Sequence, residues 1–103
     1  MFSQSNRYKT CGIEHEIPLE LQIILWAMID ELKGQIDQLD YLQIFVLSEK
    51  PKENGEILQH IRHFQERPPY QNEIELDIDQ PVKAKIYVID DETHSTMLLA
   101  QEY

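Results

Sequence analysis

Glu73-Ile74-Glu75-Leu76-Asp77-Ile78-Asp79 alternates carboxylate and aliphatic side chains without a break, and no other stretch restricts the fold as tightly. Successive side chains of a β-strand point to opposite faces, so this period describes a half-buried strand with one apolar and one acidic face. A single short run thereby fixes a sheet, a core side and a charged outer surface. It carries no chemistry by itself.

Val82 to Ile89 follows at once and reads as a second strand. Joined by Gln80-Pro81-Val82 as a three-residue loop, the two segments pair with Asp79 opposite Lys83 and Asp77 opposite Lys85. The same register sets Ile78 against Ala84, Leu76 against Ile86 and Ile74 against Val88. A shift by one residue would destroy both matches. An antiparallel hairpin of Glu73–Asp79 with Val82–Ile89 is therefore expected, its energy carried by the aliphatic ladder more than by the charge pairs.

One helix is clear. Pro18 suits a first helical position, where its missing N–H is not needed, and the helix runs to about Lys33, with Gly34 placed for a left-handed cap. Leu21, Ile24, Leu25, Met28, Ile29 and Leu32 make a core stripe. Leu19, Ile23 and Trp26 fall on the opposite side, so this helix has a second apolar face that needs a cover. Apolar clusters rimmed by polar groups mark interfaces, and tryptophan is a frequent hot spot. Leu19, Ile23 and Trp26 are thus the candidate interface for a second copy or a protein partner. The alternative cover is intramolecular, from the segment around Phe2 or from Tyr103.

Around these elements, Arg7 to Cys11 reads as a short strand stopped by Gly12, with a turn between Gly12 and Pro18. Tyr41 to Leu47 is apolar on both parities, which suits a central strand covered on both sides. Asn54-Gly55 marks a turn. Glu56–Glu66 fits either a helical face or a returning hairpin strand; the preceding strand and the turn favour strand. Pro68-Pro69 ends it. Ser95 to Gln101 returns as a last strand. The expected fold is α+β in a single domain, 1–103: one amphipathic helix packed on a curved, mainly antiparallel sheet of about five strands.

Charge limits the partners. Nineteen acidic against nine basic residues give a formal charge of -10, which repels phosphate backbones and anionic membrane surfaces, so no direct nucleic-acid or membrane binding is expected. Cys11 is the lone cysteine, excluding an internal disulfide and a cysteine zinc site. The start of the chain lacks the basic and apolar regions of a signal peptide, and no segment approaches the roughly 20 apolar residues of a membrane span. A cytoplasmic location is expected.

Candidate chemistry is sparse. On a helix, His60 and His63 would share a face and could co-ligate zinc; on the favoured strand they point apart, and no third ligand is fixed. With His15 and His94 they read as surface histidines. Asp90, Asp91 and Glu92 form a loop without the glycine a calcium bend needs and read as a solvated turn. Cys11 and His15 lie in turn context, and Ser48, Ser95 and Thr96 lie in no nucleophile elbow. No cofactor, metal or catalytic residue is expected.

Three groups of residues resemble a known family. They are Gly12-Ile13 with Ile17-Pro18, Glu20-Leu21-Gln22, Leu25-Trp26 and Ile29-Asp30; Asp40-Tyr41-Leu42-Gln43 with Gln65-Glu66, Pro68 and Tyr70; and Tyr87–Asp91, His94–Ala100 and Glu102-Tyr103. Together these are similar to the small bacterial proteins of the domain of unknown function 960 family from low-GC Gram-positive bacteria. The resemblance spans nearly the whole chain, with Ser48–Glu56 as the expected departure. It implies a cytoplasmic bacterial protein and supplies no activity or site residue. The expected function is a non-enzymatic protein-interaction or self-associating domain. A small-molecule or metal-dependent enzyme is the alternative, and an acidic inhibitor of a nucleic-acid-binding enzyme is the third reading.

Overall fold

A computed structural model describes all residues, 1–103. Its strands are β1 (Arg7–Lys9), β2 (Leu42–Pro51), β3 (Ile57–Gln65), β4 (Tyr70–Leu76), β5 (Ala84–Asp90) and β6 (Ser95–Leu99). The helices are α1 (Cys11–Glu16) and α2 (Leu19–Lys33), and a 3₁₀ turn, Ala100–Glu102, closes the chain. The strands form one open sheet in the order β1-β6-β5-β2-β3-β4, antiparallel except for the parallel pairing of β1 with β6. The α+β expectation is met with six strands rather than five.

α2 begins after Pro18 and lays Leu21, Leu25, Met28 and Ile29 against Phe45, Leu47, Ile61, Ile86 and Val88 of the sheet. All these residues are buried, as the 3.6-residue period demands. The expected left-handed cap at Gly34 is not used. Gly34 is right-handed (φ -80°), and the amides of Gly34, Gln35 and Ile36 turn back onto the carbonyls of Glu31 and Leu32, meeting the orphan acceptors of the last turn.

The turn expected between Gly12 and Pro18 is the short helix α1. Thr10 caps it, its Oγ1 accepting from the Ile13 amide at 3.3 Å, and Ile13 enters the core. The same Oγ1 donates to Glu102 Oε1 at 2.7 Å, and that oxygen also accepts from the Leu99 amide at 2.8 Å. A Cβ on residue 12 would stand 2.7 Å from the Glu102 carboxylate, so glycine there allows the two ends of the described chain to meet. The Glu102 carboxyl is held below its ordinary value, first by the Thr10 hydroxyl.

The expected hairpin of Glu73–Asp79 with Val82–Ile89 does not form. β4 pairs only with β3, with Arg62 opposite Glu73 and Ile61 opposite Ile74, while β5 lies between β2 and β6. Asp77 does not face Lys85, and Leu76 faces Gln59 rather than Ile86. The acidic strand ends at Leu76, and residues 77–83 run from one sheet edge past β3 and β2 to reach β5. Two effects outweigh the matched register. Pairing β4 with β3 across the short Pro68-Pro69 turn is local. Placing β5 centrally gives it neighbours on both edges and buries Ile86 and Val88 completely; cross-strand side-chain pairs at ~0.2–1 kcal/mol each do not compete with that. The crossing segment is pinned by Gln59, whose Oε1 accepts from the Val82 amide at 2.7 Å and whose Nε2 donates to the Val82 carbonyl at 3.0 Å.

Candidate functional site

Register assigns each strand residue to a face. Inward, toward α2, point Gln43, Phe45, Leu47, Gln59, Ile61, His63, Gln65, Ile86, Val88, Met97 and Leu99, every one buried. Outward, the cross-strand rows Phe64–Ile44–Tyr87–Leu98 and Leu42–Ile89–Thr96–Tyr8 lie side by side, with Val46 next to them. Neither helix joins these outer rows, and none of their side chains belongs to the core cluster. Ile44 is buried by its neighbours, Tyr8 is 55% exposed, and the others are partly exposed. The central strand is therefore covered by helix on one side, not on both as its two apolar parities suggest. Tyr103 meets this face at Tyr87, edge-on with ring centroids 5.5 Å apart.

Charge on that face is unlike charge elsewhere. The outward basic side chains are Lys50, Arg62 and Lys85, and the outward acidic ones are Glu73 and Glu75. They neutralise one another locally: Lys50 Nζ lies 2.9 Å from Glu75 Oε1, and Arg62 lies over the Phe64 ring at 4.3 Å and opposite Glu73. The carboxylates that give the chain its charge of -10 lie elsewhere.

The helix-face candidates are divided. Leu19 and Ile23 are 62% and 59% exposed. Trp26 packs partly against the core, and the Arg7 guanidinium covers its ring at 4.6 Å. Arg7 also pairs with Asp30 at 2.5 Å and donates to the carbonyls of Phe2 and Ser3, while Phe2 is fully buried. The N-terminal segment thus covers part of this face and leaves Leu19 and Ile23 open.

The histidines separate into different environments. His60 is outward, near Glu73 and Ser48, and His94 sits in the β5–β6 loop. His15 Nδ1 meets the Cys11 carbonyl at 2.7 Å, not its thiol. His63 is not a surface residue: it is fully buried, stacked on Phe45 at 4.3 Å, with Nε2 bonded to Gln43 Oε1 at 2.7 Å. Burial lowers its pKa to about 4. Gln43 Nε2 in turn donates to Gln65 Oε1 at 2.8 Å, and Gln65 Nε2 donates to the Pro68 carbonyl at 2.8 Å. This amide–imidazole chain ties β2, β3 and the β3–β4 turn together. No three His, Cys, Asp or Glu side chains converge as metal ligands.

The Asp90–Glu92 loop is not wholly solvated either. Asp91 and Glu92 are exposed, but Asp90 and its register partner Ser95 are buried. Asp90 Oδ2 and Ser95 Oγ have no hydrogen-bond partner in the protein. Both residues line a hollow of about 180 Å³ between the β5–β6 loop and residues 1–5. Asp91 Oδ1 holds the loop by accepting from the Thr93 amide and hydroxyl and the His94 amide, at 3.0, 2.8 and 2.8 Å. Sequence reasoning missed both the hollow and the open sheet face; the second parity of β2 was the only signal for the latter.

A family model described as Staphylococcal protein of unknown function (DUF960) matches residues 6–102. The chain belongs to that family. A crystal structure of a protein of unknown function from Enterococcus faecalis shares the DUF960 member's fold, with a TM-score of 0.78 and 24% sequence identity over 99% of this chain and 94% of that one. At that identity the likeness is one of fold alone. No curated protein matches the chain. No helix is long and apolar enough to cross a membrane.

Proposed function

We propose that this DUF960 protein is a non-enzymatic association domain whose outer sheet face docks a second copy of the chain. The observation that carries the reading is the pair of apolar rows around Ile44, Phe64, Tyr87, Ile89 and Leu98, lying on the sheet side that no helix covers. Exposed apolar rows with a polar rim favour protein contact, and two sheets can pack face to face about 10 Å apart. Six strands spaced about 4.8 Å apart make a face roughly 24 Å wide, and strands of about seven residues at about 3.3 Å each give it an area of roughly 550 Å², the same order as the ~800 Å² patch each partner contributes to a stable interface.

Charge selects this face for a meeting of two copies. Two chains of charge -10 repel, and the repulsion is smallest where they meet on the one face whose charges nearly cancel. Sedimentation equilibrium tests this: wild type is expected to form dimers, and Phe64→Asp to sediment as a folded monomer. A wild type that stays monomeric at millimolar concentration contradicts it. A second reading puts the contact at Leu19 and Ile23 with Trp26 beside them, favoured by the exposure of the first two. Under that reading Ile23→Asp, not Phe64→Asp, dissociates the dimer.

A further inference from the structure

β4 closes the sheet on one side and has a neighbour, β3, along one edge only. Antiparallel partners exchange hydrogen bonds at alternate residues. The Lys52 amide, donating to the Glu56 carbonyl at 2.7 Å, extends the β2–β3 ladder through even-numbered positions, so the backbone of Gln59, Ile61, His63 and Gln65 turns toward β4. Gln71, Glu73 and Glu75 therefore aim their amides and carbonyls away from the sheet. No backbone group elsewhere in the chain meets them; the Glu73 amide alone has a partner, the adjacent Asn72 Oδ1 at 3.0 Å.

The side chains along this edge are as one-sided as its backbone. Glu73, Glu75, Asp77 and Asp79 are exposed at alternate positions, a row about 20 Å long at ~3.3 Å per residue. Ile74, Leu76 and Ile78 alternate with them and pack against the core, which holds the row in place. Glu75 pairs with Lys50 at 2.9 Å and Glu73 has His60 at 3.6 Å, whereas Asp77 and Asp79 have no ion-pair partner.

From this geometry we infer that the β4 edge takes up an extended, lysine- or arginine-bearing segment of another protein as an additional strand. The unpaired edge amides and carbonyls supply the main-chain ladder that strand addition uses, and the carboxylate row selects basic side chains at alternate positions. A second copy does not fit this edge. Two β4 edges paired with each other would bring the two carboxylate rows side by side, and like charges directly opposite destabilise a strand pair. The other sheet edge, β1, has three residues, and its Arg7 and Lys9 are engaged with Asp30 and Glu14. The proposed dimer contact uses the sheet's outer face, so this edge stays free whether the chain is monomer or dimer.

The test is an amide NMR titration of the full chain with a peptide of alternating lysine and valine, matched in length to β4. The peptide is expected to shift the Gln71, Glu73 and Glu75 amides saturably and to slow their exchange with solvent. The same peptide N-methylated throughout keeps its charge but has no backbone donors, and is expected to leave exchange unchanged; a glutamate–valine peptide is expected not to bind. Gln71→Pro removes an outward donor without touching the β3 ladder and should weaken binding several-fold, as should Asp77→Asn at low salt. Circular dichroism establishes that each variant is folded, and Asp77→Asn carries the test if Gln71→Pro does not fold. No saturable response, an equal response to the N-methylated or the acidic peptide, or unchanged binding in folded variants overturns the inference.

Discussion

Phe45 and Phe64 sit on adjacent strands of one sheet and face opposite ways. Phe45 is fully buried, stacked on His63 and enclosed by the helix layer. Phe64 is partly exposed, with the Arg62 guanidinium over its ring and no helix above it. Their environments differ because the chain has one long helix to cover two apolar sheet faces. The inner face is sealed by packing and by a buried polar chain. The outer face relies on cross-strand pairs and remains available, which is the physical basis for reading it as an interface.

The largest expected contrast is between these two residues. Phe45→Ala should cost about 3–5 kcal/mol, because it opens a cavity in a sealed core. Phe64→Ala should cost about 1 kcal/mol in the monomer, because little area returns to water. Urea denaturation of both variants measures the difference, and equal losses would mean the outer face is core.

The next effect belongs to His63 and pH. Burial holds its folded pKa near 4 against an unfolded value of 6.5, so the unfolded chain binds more protons between those values. Stability should be full above about pH 6.5 and fall by about 3 kcal/mol as pH drops to 4. Asp30 acts in a lower window: desolvation raises its pKa, but the Arg7 hydrogen bond and charge outweigh this and hold it below its ordinary value. Stability curves from pH 7 to 4 for wild type and His63→Leu isolate the contribution. The variant is expected to be flat from pH 7 to about 5, above the range where carboxylates held below their ordinary value, such as Glu102, begin to contribute, and a wild type equally flat from pH 7 to 5 would contradict a buried neutral imidazole.

Two polar groups sharpen the comparison further. Gln59, on the inner face, satisfies both the amide and the carbonyl of Val82, so Gln59→Ala should cost about 1–3 kcal/mol and release the 77–83 crossing to faster hydrogen exchange. On the outer face, Glu75→Gln removes the pairing with Lys50, and a surface ion pair of this kind is worth about 0–1 kcal/mol. Thermal melts should rank the two in that order.

Much of this architecture is legible in the sequence, and the failures have specific causes. The helix, the Asn54-Gly55 turn, the strand nature of Glu56–Glu66 and the final strand follow from local period and turn chemistry. Pairing does not. Glu73–Asp79 and Val82–Ile89 match each other in charge and aliphatic pattern, but the partner of a strand is decided by where it buries most, and a seven-residue crossing leaves no local mark beyond Pro81. Gly12 hides α1 because glycine is a poor helix former; it lies against the Glu102 carboxylate. The inward Gln43, Gln59, His63 and Gln65 look like surface residues until their mutual hydrogen bonds are seen. The candidate patch Leu19, Ile23 and Trp26 was readable from helical spacing, whereas the open sheet face was not, because apolar residues on both parities of β2 suit a doubly covered strand equally well.

The central claim is that two chains meet through their outer sheet faces. Isotope-filtered NOE spectroscopy on a mixture of labelled and unlabelled protein tests it most directly, because it records only contacts between copies. The expected result is intermolecular NOEs from Phe64, Tyr87, Ile89 and Leu98. Contacts from Leu19, Ile23 and Trp26 instead, or no intermolecular contacts at millimolar concentration, would contradict it.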